Sequence, residues 1–78
     1  MTTTEKVNKI ILDLKKGKVT EDMLQPSAEL AKDLHMDSLD MAELLVMAED
    51  EFKVKISLEK VGGLKTLADA VQYVDSLL

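Results

Sequence analysis

The sequence predicts an all-α domain: a small four-helix bundle with three main helices, one short third helix, and a long loop between helices 1 and 2. Three observations predict it. Apolar residues recur at spacings of three and four in separate segments divided by turn signals. Two of those segments open on Thr2-x-x-Glu5 and Thr66-x-x-Asp69, the pattern of a capping box. The one run that alternates like a strand, Val54-Lys55-Ile56, has no second run to pair with. At 78 residues the chain makes one domain, spanning 1–78. Its only large rings are Phe52 and Tyr73, so aliphatic and methionine side chains must build the core.

The first helix follows its capping box with Val7, Ile10, Ile11 and Leu14 on one face. Gly17, flanked by Lys15, Lys16 and Lys18, supplies a stop: glycine accepts the left-handed turn and lysines suit the negative end of the helix dipole. Residues 18–36 form a connection longer than the usual span of about 4–6 residues, the kind of loop that carries function. Val19, Met23, Leu24, Leu30 and Leu34 are expected to pin it across the helix ends. The second helix runs from about Ser38 to Phe52. A short turn of helix near Ser57–Val61 ends at Gly62-Gly63, and the last helix presents Leu67, Ala70, Val71, Val74, Leu77 and Leu78 on one face. Val54-Lys55-Ile56 is an extended connector with Val54 and Ile56 turned inward.

Composition narrows the function. With no cysteine, disulfides and thiolate metal sites are excluded, and any thiol chemistry must come from a cofactor. No metal-ligand spacing is present. No stretch is long and apolar enough to span a membrane, and the opening residues do not resemble a secretory signal, so the expected location is cytoplasmic. The formal charge is −5, and residues 29 to 51 hold eight acids against one lysine. The remainder is slightly basic. Such a field repels nucleic acid and anionic lipid and steers basic partners to one region.

That acidic region contains the second helix, which has two apolar faces. At roughly 100° per residue, Met41, Leu44, Leu45, Ala48 and Phe52 fall together as the core face. Leu39, Ala42 and Val46 fall on another side, with Asp40, Glu43, Glu49 and Asp50 around them. A small apolar strip ringed by carboxylates suits docking, with contact at the centre and charge at the rim. Isolated exposed apolar residues are also common on monomeric proteins, which is the plainer account of the same strip.

Ser38 stands where this helix begins. By position alone it is a helix cap. The same place suits a phosphate, since free N–H groups and the positive end of the dipole point there. A catalytic serine would need a base and oxyanion donors; only His35 is near, and no glycine-rich elbow surrounds Ser38. The chain is not expected to be an enzyme.

The run Asp33-Leu34-His35-Met36-Asp37-Ser38-Leu39-Asp40 resembles the signature of acyl carrier proteins, whose core is Asp-Ser-Leu. Glu43-Leu44-Leu45 through Glu49-Asp50-Glu51-Phe52, then Ile56 and Thr66-Leu67-Ala68-Asp69-Ala70-Val71, are similar to later landmarks of that family, and Val7, Lys9, Ile10 and Ile11 to its first helix. The resemblance covers nearly the whole chain. It implies a discrete, type II-like carrier that is a monomer and bears 4′-phosphopantetheine on Ser38, attached from coenzyme A by a phosphopantetheinyl transferase. It implies that Asp37, Leu39, Asp40, Glu43, Val46 and Asp50 meet basic patches on acyl synthases and transferases; Ala42 and Glu49 join that docking surface from the reading of the helix faces. The acyl thioester would tuck beside the second helix, among Leu44, Leu45, Phe52, Ile56, Leu64 and Leu67.

The chain departs from the family pattern at three places. His35 stands where the family usually has glycine, at a position that often needs a permissive backbone. The third helix is broken by Gly62-Gly63, each costing about 1 kcal/mol relative to alanine. Lys53, Lys55, Lys60 and Lys65 make basic a flank that is commonly acidic in the family. The main expectation is a carrier for fatty acid or related acyl-chain biosynthesis. The alternatives are a specialised carrier of polyketide, lipid A, aminoacyl or peptidyl cargo, and an unmodified protein-interaction domain.

Overall fold

Helix caps set the frame. In the computed structural model, which describes residues 1–78, the elements are α1 (Thr3–Leu14), α2 (Ser38–Phe52), α3 (Leu58–Gly62) and α4 (Leu67–Leu77), with a 3-10 turn at Glu21–Met23. Thr2 caps α1, and the Glu5 carboxylate returns to the Thr2 N–H at 2.9 Å. Thr66 and Asp69 do the same for α4, with the Thr66 N–H donating to Asp69 at 3.0 Å. These backbone donors hold the Glu5 and Asp69 carboxyls below the ordinary carboxylate range. Both capping boxes therefore form as the sequence predicts. Val54-Lys55-Ile56 is not a strand; Ile56 is buried and Val54 half-buried, as its connector role requires. No helix is long and apolar enough to cross a membrane.

The apolar faces meet in one core. α1 contributes Val7, Ile10 and Ile11, α2 contributes Leu44, Ala48 and Phe52, α3 contributes Val61, and α4 contributes Leu67, Ala70 and Val74. α1 packs on α2 and α4, and α3 packs on α2. Met41 and Leu45, expected on the core face of α2, are only half-buried and lie at its margin. Each valine, leucine, isoleucine or phenylalanine side chain fully withdrawn from water stabilises the fold by roughly 1.5–3 kcal/mol.

The long loop is part of this core rather than a cover for it. Val19, Leu24, Ala28, Leu30, Leu34 and Met36 are all buried. Its backbone is stitched to the start of α4: Leu30 N–H donates to Lys65 C=O, Leu67 N–H to Ala28 C=O, and Ala68 N–H to Pro26 C=O, each at 2.9 Å. A single antiparallel bridge joins Glu29 and Thr66. These bonds settle where the buried backbone groups of the loop find partners. They also fix the last loop residues, and so aim the start of α2.

Two non-glycine residues take left-handed backbone conformations. Lys53, at the end of α2, has φ 56°, and His35, just before α2, has φ 55°. His35 thus holds a left-handed conformation that glycine adopts without steric cost and an L-residue does not.

Candidate functional site

The approach to α2 is built from three consecutive features. His35 turns left-handed, Met36 buries its side chain and donates its N–H to Leu30 C=O at 2.9 Å, and Asp37 caps the helix. Asp37 Oδ1 accepts from the Asp40 N–H at 2.8 Å, and Asp40 Oδ2 accepts from the Asp37 N–H at 3.1 Å. The cap is thus Asp37. Ser38 is the first helical residue, exposed, and its hydroxyl takes no part in the capping box. In a helix capped this way the N–H groups of Ser38 and Leu39 have no intrahelical acceptor. By position Ser38 reads as the cap; the neighbouring aspartate takes that work instead and leaves the serine oxygen unengaged.

Beside Ser38 opens an apolar groove of about 420 Å³ between the loop, α2 and α3. Leu30, Met36, Met41, Leu58, Val61 and Leu64 form much of its wall, and Ser38 and Asp37 stand at its edge. Deeper, between α2, α3 and α4, is a wholly apolar cavity of only about 20 Å³. Leu44, Leu45, Ile56 and Leu64 line it, as do Val61 and Tyr73. Phe52 and Leu67, expected among the lining residues, do not. The Phe52 ring packs under the Lys6 ammonium, 5.6 Å from its centroid, and Leu67 faces a separate groove with Leu24, Pro26 and Val71.

The acidic ring on α2 divides into two groups. Asp40 and Glu49 are engaged within the molecule. Asp40 Oδ2 lies 2.9 Å from the Lys15 ammonium, with the two side chains only 11% and 16% exposed. Lys15 and the capping box together lower the Asp40 carboxyl below its ordinary value, Lys15 having the larger effect. Glu49 Oε2 accepts from the Ile56 N–H at 2.7 Å and so fixes the connector. Asp37, Glu43 and Asp50 remain exposed. Leu39 and Val46 are 66% and 62% exposed, and Ala42, Glu43, Val46 and Met47 share a shallow surface depression.

Sequence reading missed Lys15, Met47 and Leu58. Lys15 read as a helix-end charge, and nothing in the sequence pairs it with a carboxylate twenty-five positions later. Met47 lies between the two faces of α2, and Leu58 opens a helix too short for periodicity to be legible. His35 makes no hydrogen bond to Ser38; only its backbone carbonyl is engaged, by Lys15 at 2.9 Å.

A family model described as "Phosphopantetheine attachment site" matches residues 15–74. The chain belongs to that family. It is a phosphopantetheine-bearing carrier of the acyl carrier protein type, and its cofactor is covalently bound 4′-phosphopantetheine. Such domains are carriers rather than catalysts, and they work with transferases and acyl-processing enzymes. The match spans the loop, α2, α3 and most of α4, the elements that surround Ser38. The residues present fit the arm: an unengaged hydroxyl, two helix N–H groups free for a phosphate, and an apolar groove alongside.

Proposed function

We propose that Ser38 is the attachment point, and that the chain carries acyl intermediates as thioesters to enzymes of fatty acid or related acyl-chain biosynthesis. The observation that carries this reading is the Asp37 cap, which leaves the Ser38 hydroxyl exposed and free at the rim of the groove. In loading, the Ser38 oxygen bonds to the pantetheine-bearing phosphorus of coenzyme A. The phosphoanhydride bond breaks, the nucleotide leaves, and the serine proton goes to the transferase or solvent. The arm supplies the thiol that this cysteine-free chain lacks.

The strip of exposed Leu39 and Val46 with half-buried Ala42, and with Glu43, Asp50 and Asp37 at its rim, is the surface offered to basic partners. Asp40 and Glu49 act from within, by holding the helix start and the connector. An acyl chain leaving the Ser38 groove meets Val61 and Leu64, which also border the inner cavity, so the path inward runs between them. At about 20 Å³ that cavity holds little more than one water, and an alkyl chain requires α3 to yield.

One observation favours a specialised cargo: Lys53, Lys55, Lys60 and Lys65 are exposed on and around α3. A partner that reads this flank must carry acids there, opposite in sign to the partner of α2. Mass analysis of Ser38-containing peptides from the native cell tests both readings. Fatty acyl or hydroxyacyl thioesters support the first, polyketide or aminoacyl species the second, and an unmodified serine throughout would overturn the carrier assignment of Ser38.

A further inference from the structure

The geometry points to Lys15 as a positioning residue for Ser38, one ammonium that clasps the left-handed turn before α2 and the capping box that starts it. This rests on Ser38 being the attachment point. The Lys15 Nζ donates to the His35 carbonyl and to Asp40 Oδ2, both at 2.9 Å. The same Asp40 oxygen accepts from the Asp37 N–H. A single cation therefore joins the end of α1, the strained residue and the cap.

Three features separate this contact from an ordinary surface ion pair. It is the most enclosed of the three ion pairs; Lys6–Glu51 and Lys53–Asp50 are both at 3.9 Å with far more exposed side chains. Its cation also bonds a backbone carbonyl, and that carbonyl belongs to a residue held at positive φ. Such a residue keeps its conformation only when its surroundings over-determine it. And Lys15 is itself the C-cap of α1, anchored because its carbonyl accepts from the Val19 and Lys18 N–H groups.

The consequence falls on Ser38. Two residues in succession are able to cap α2. With Asp37 as cap, the Asp40 carboxylate closes the box and the serine hydroxyl is free. With the helix started one residue later, Ser38 becomes the cap, its oxygen turns to the Met41 N–H, and the nucleophile is engaged. The clasp stabilises the first register because it fixes the carboxylate that only the first register uses. It does not touch the exposed docking strip.

The test uses Lys15→Met and Lys15→Arg in the full chain, loaded from coenzyme A by a broad-specificity transferase. Single-turnover loading at saturating transferase should fall about tenfold in Lys15→Met, with the KM for the carrier changed less than about twofold. Arginine, which keeps the charge and two donors, should restore the rate. Independently of loading, amide exchange at Asp37 and Asp40 in the unloaded chain should quicken in Lys15→Met and not in Lys15→Arg. Circular dichroism and melting identify a variant that has unfolded, in which case Asp40→Asn, which keeps the side-chain size, takes its place with the same expected slowing. A folded Lys15→Met that loads at the wild-type rate, or loses rate only through KM, overturns the clasp. Wild-type chain that accepts no arm instead overturns the attachment reading on which it rests.

Discussion

Replacing His35 by glycine should stabilise the protein, although it removes a whole side chain. His35 sits at φ 55°, a region that costs an L-residue about 1–2 kcal/mol. Its imidazole is exposed and makes no hydrogen bond, so little is lost with it. The Lys15 contact is to the backbone carbonyl and survives the change. Against the relief stands the greater freedom of glycine in the unfolded chain, worth about 0.5–1 kcal/mol. The net spans about 0–1.5 kcal/mol, with a gain of about 0.5–1 kcal/mol at the middle of the two ranges. For a domain of this size, 1 kcal/mol moves the melting temperature by about 4–8 °C, so the variant should melt about 2–8 °C higher. His35→Ala is the control, because it deletes the ring but keeps the Cβ that makes the turn costly. The expected order in thermal melts followed by circular dichroism is glycine, then histidine level with or above alanine. A glycine variant that melts no higher than the alanine variant would refute the claim that backbone strain is stored there.

The charge reversals Glu43→Lys and Asp40→Lys should behave differently, although both lie on α2. Glu43→Lys should weaken binding to a basic partner at unchanged melting temperature, while Asp40→Lys should lower the melting temperature as well, since it sets two ammonium groups together and opens the cap. Acid should erase the Asp40 contribution in a defined direction. Its carboxyl is lowered in the folded state, so its stabilisation is complete above the ordinary value of about 3.9 and disappears as pH falls through the lowered one. Denaturant melts of wild type and Asp40→Asn should therefore differ at neutral pH and converge below about pH 4; a gap that stays constant into acid would exclude that linkage. Amide exchange should be faster at Gly62 and Gly63 than along α4, because α3 is five residues long and buries only Val61. Protection there equal to α4 would contradict the view that α3 is the element that yields to cargo.

What the sequence made legible follows from local rules. Thr2 and Thr66 cap helices because capping depends on residues three apart, and the α1 and α4 faces emerge from spacing, although Leu77 and Leu78, expected on the α4 face, are exposed. α2 runs over the span its periodicity predicts, Ser38–Phe52, and its second apolar strip is exposed at Leu39 and Val46. Interactions between distant segments were not legible. Lys15 meets Asp40 across the loop, the loop backbone bonds to residues 65–68, and Glu49 reaches the Ile56 N–H. Each reassigns a residue that sequence left facing solvent or without a role. Phe52 and Leu67 do not line the small apolar cavity beside α2, because a resemblance gives the neighbourhood of a residue but not which void its side chain borders. Sequence position alone does not separate Asp37 from Ser38 as the cap; in the structure Asp37 caps α2 and the Ser38 hydroxyl stays out of the capping box.

The most direct test is the intact mass of the chain after incubation with coenzyme A and a broad-specificity phosphopantetheinyl transferase, run beside Ser38→Ala. The wild type should gain the mass of one phosphopantetheine, located on Ser38 by fragmentation, and Ser38→Ala should gain none while keeping its helical circular dichroism. No gain in the wild type, or equal labelling of Ser38→Ala, would contradict the assignment of Ser38 as the attachment point.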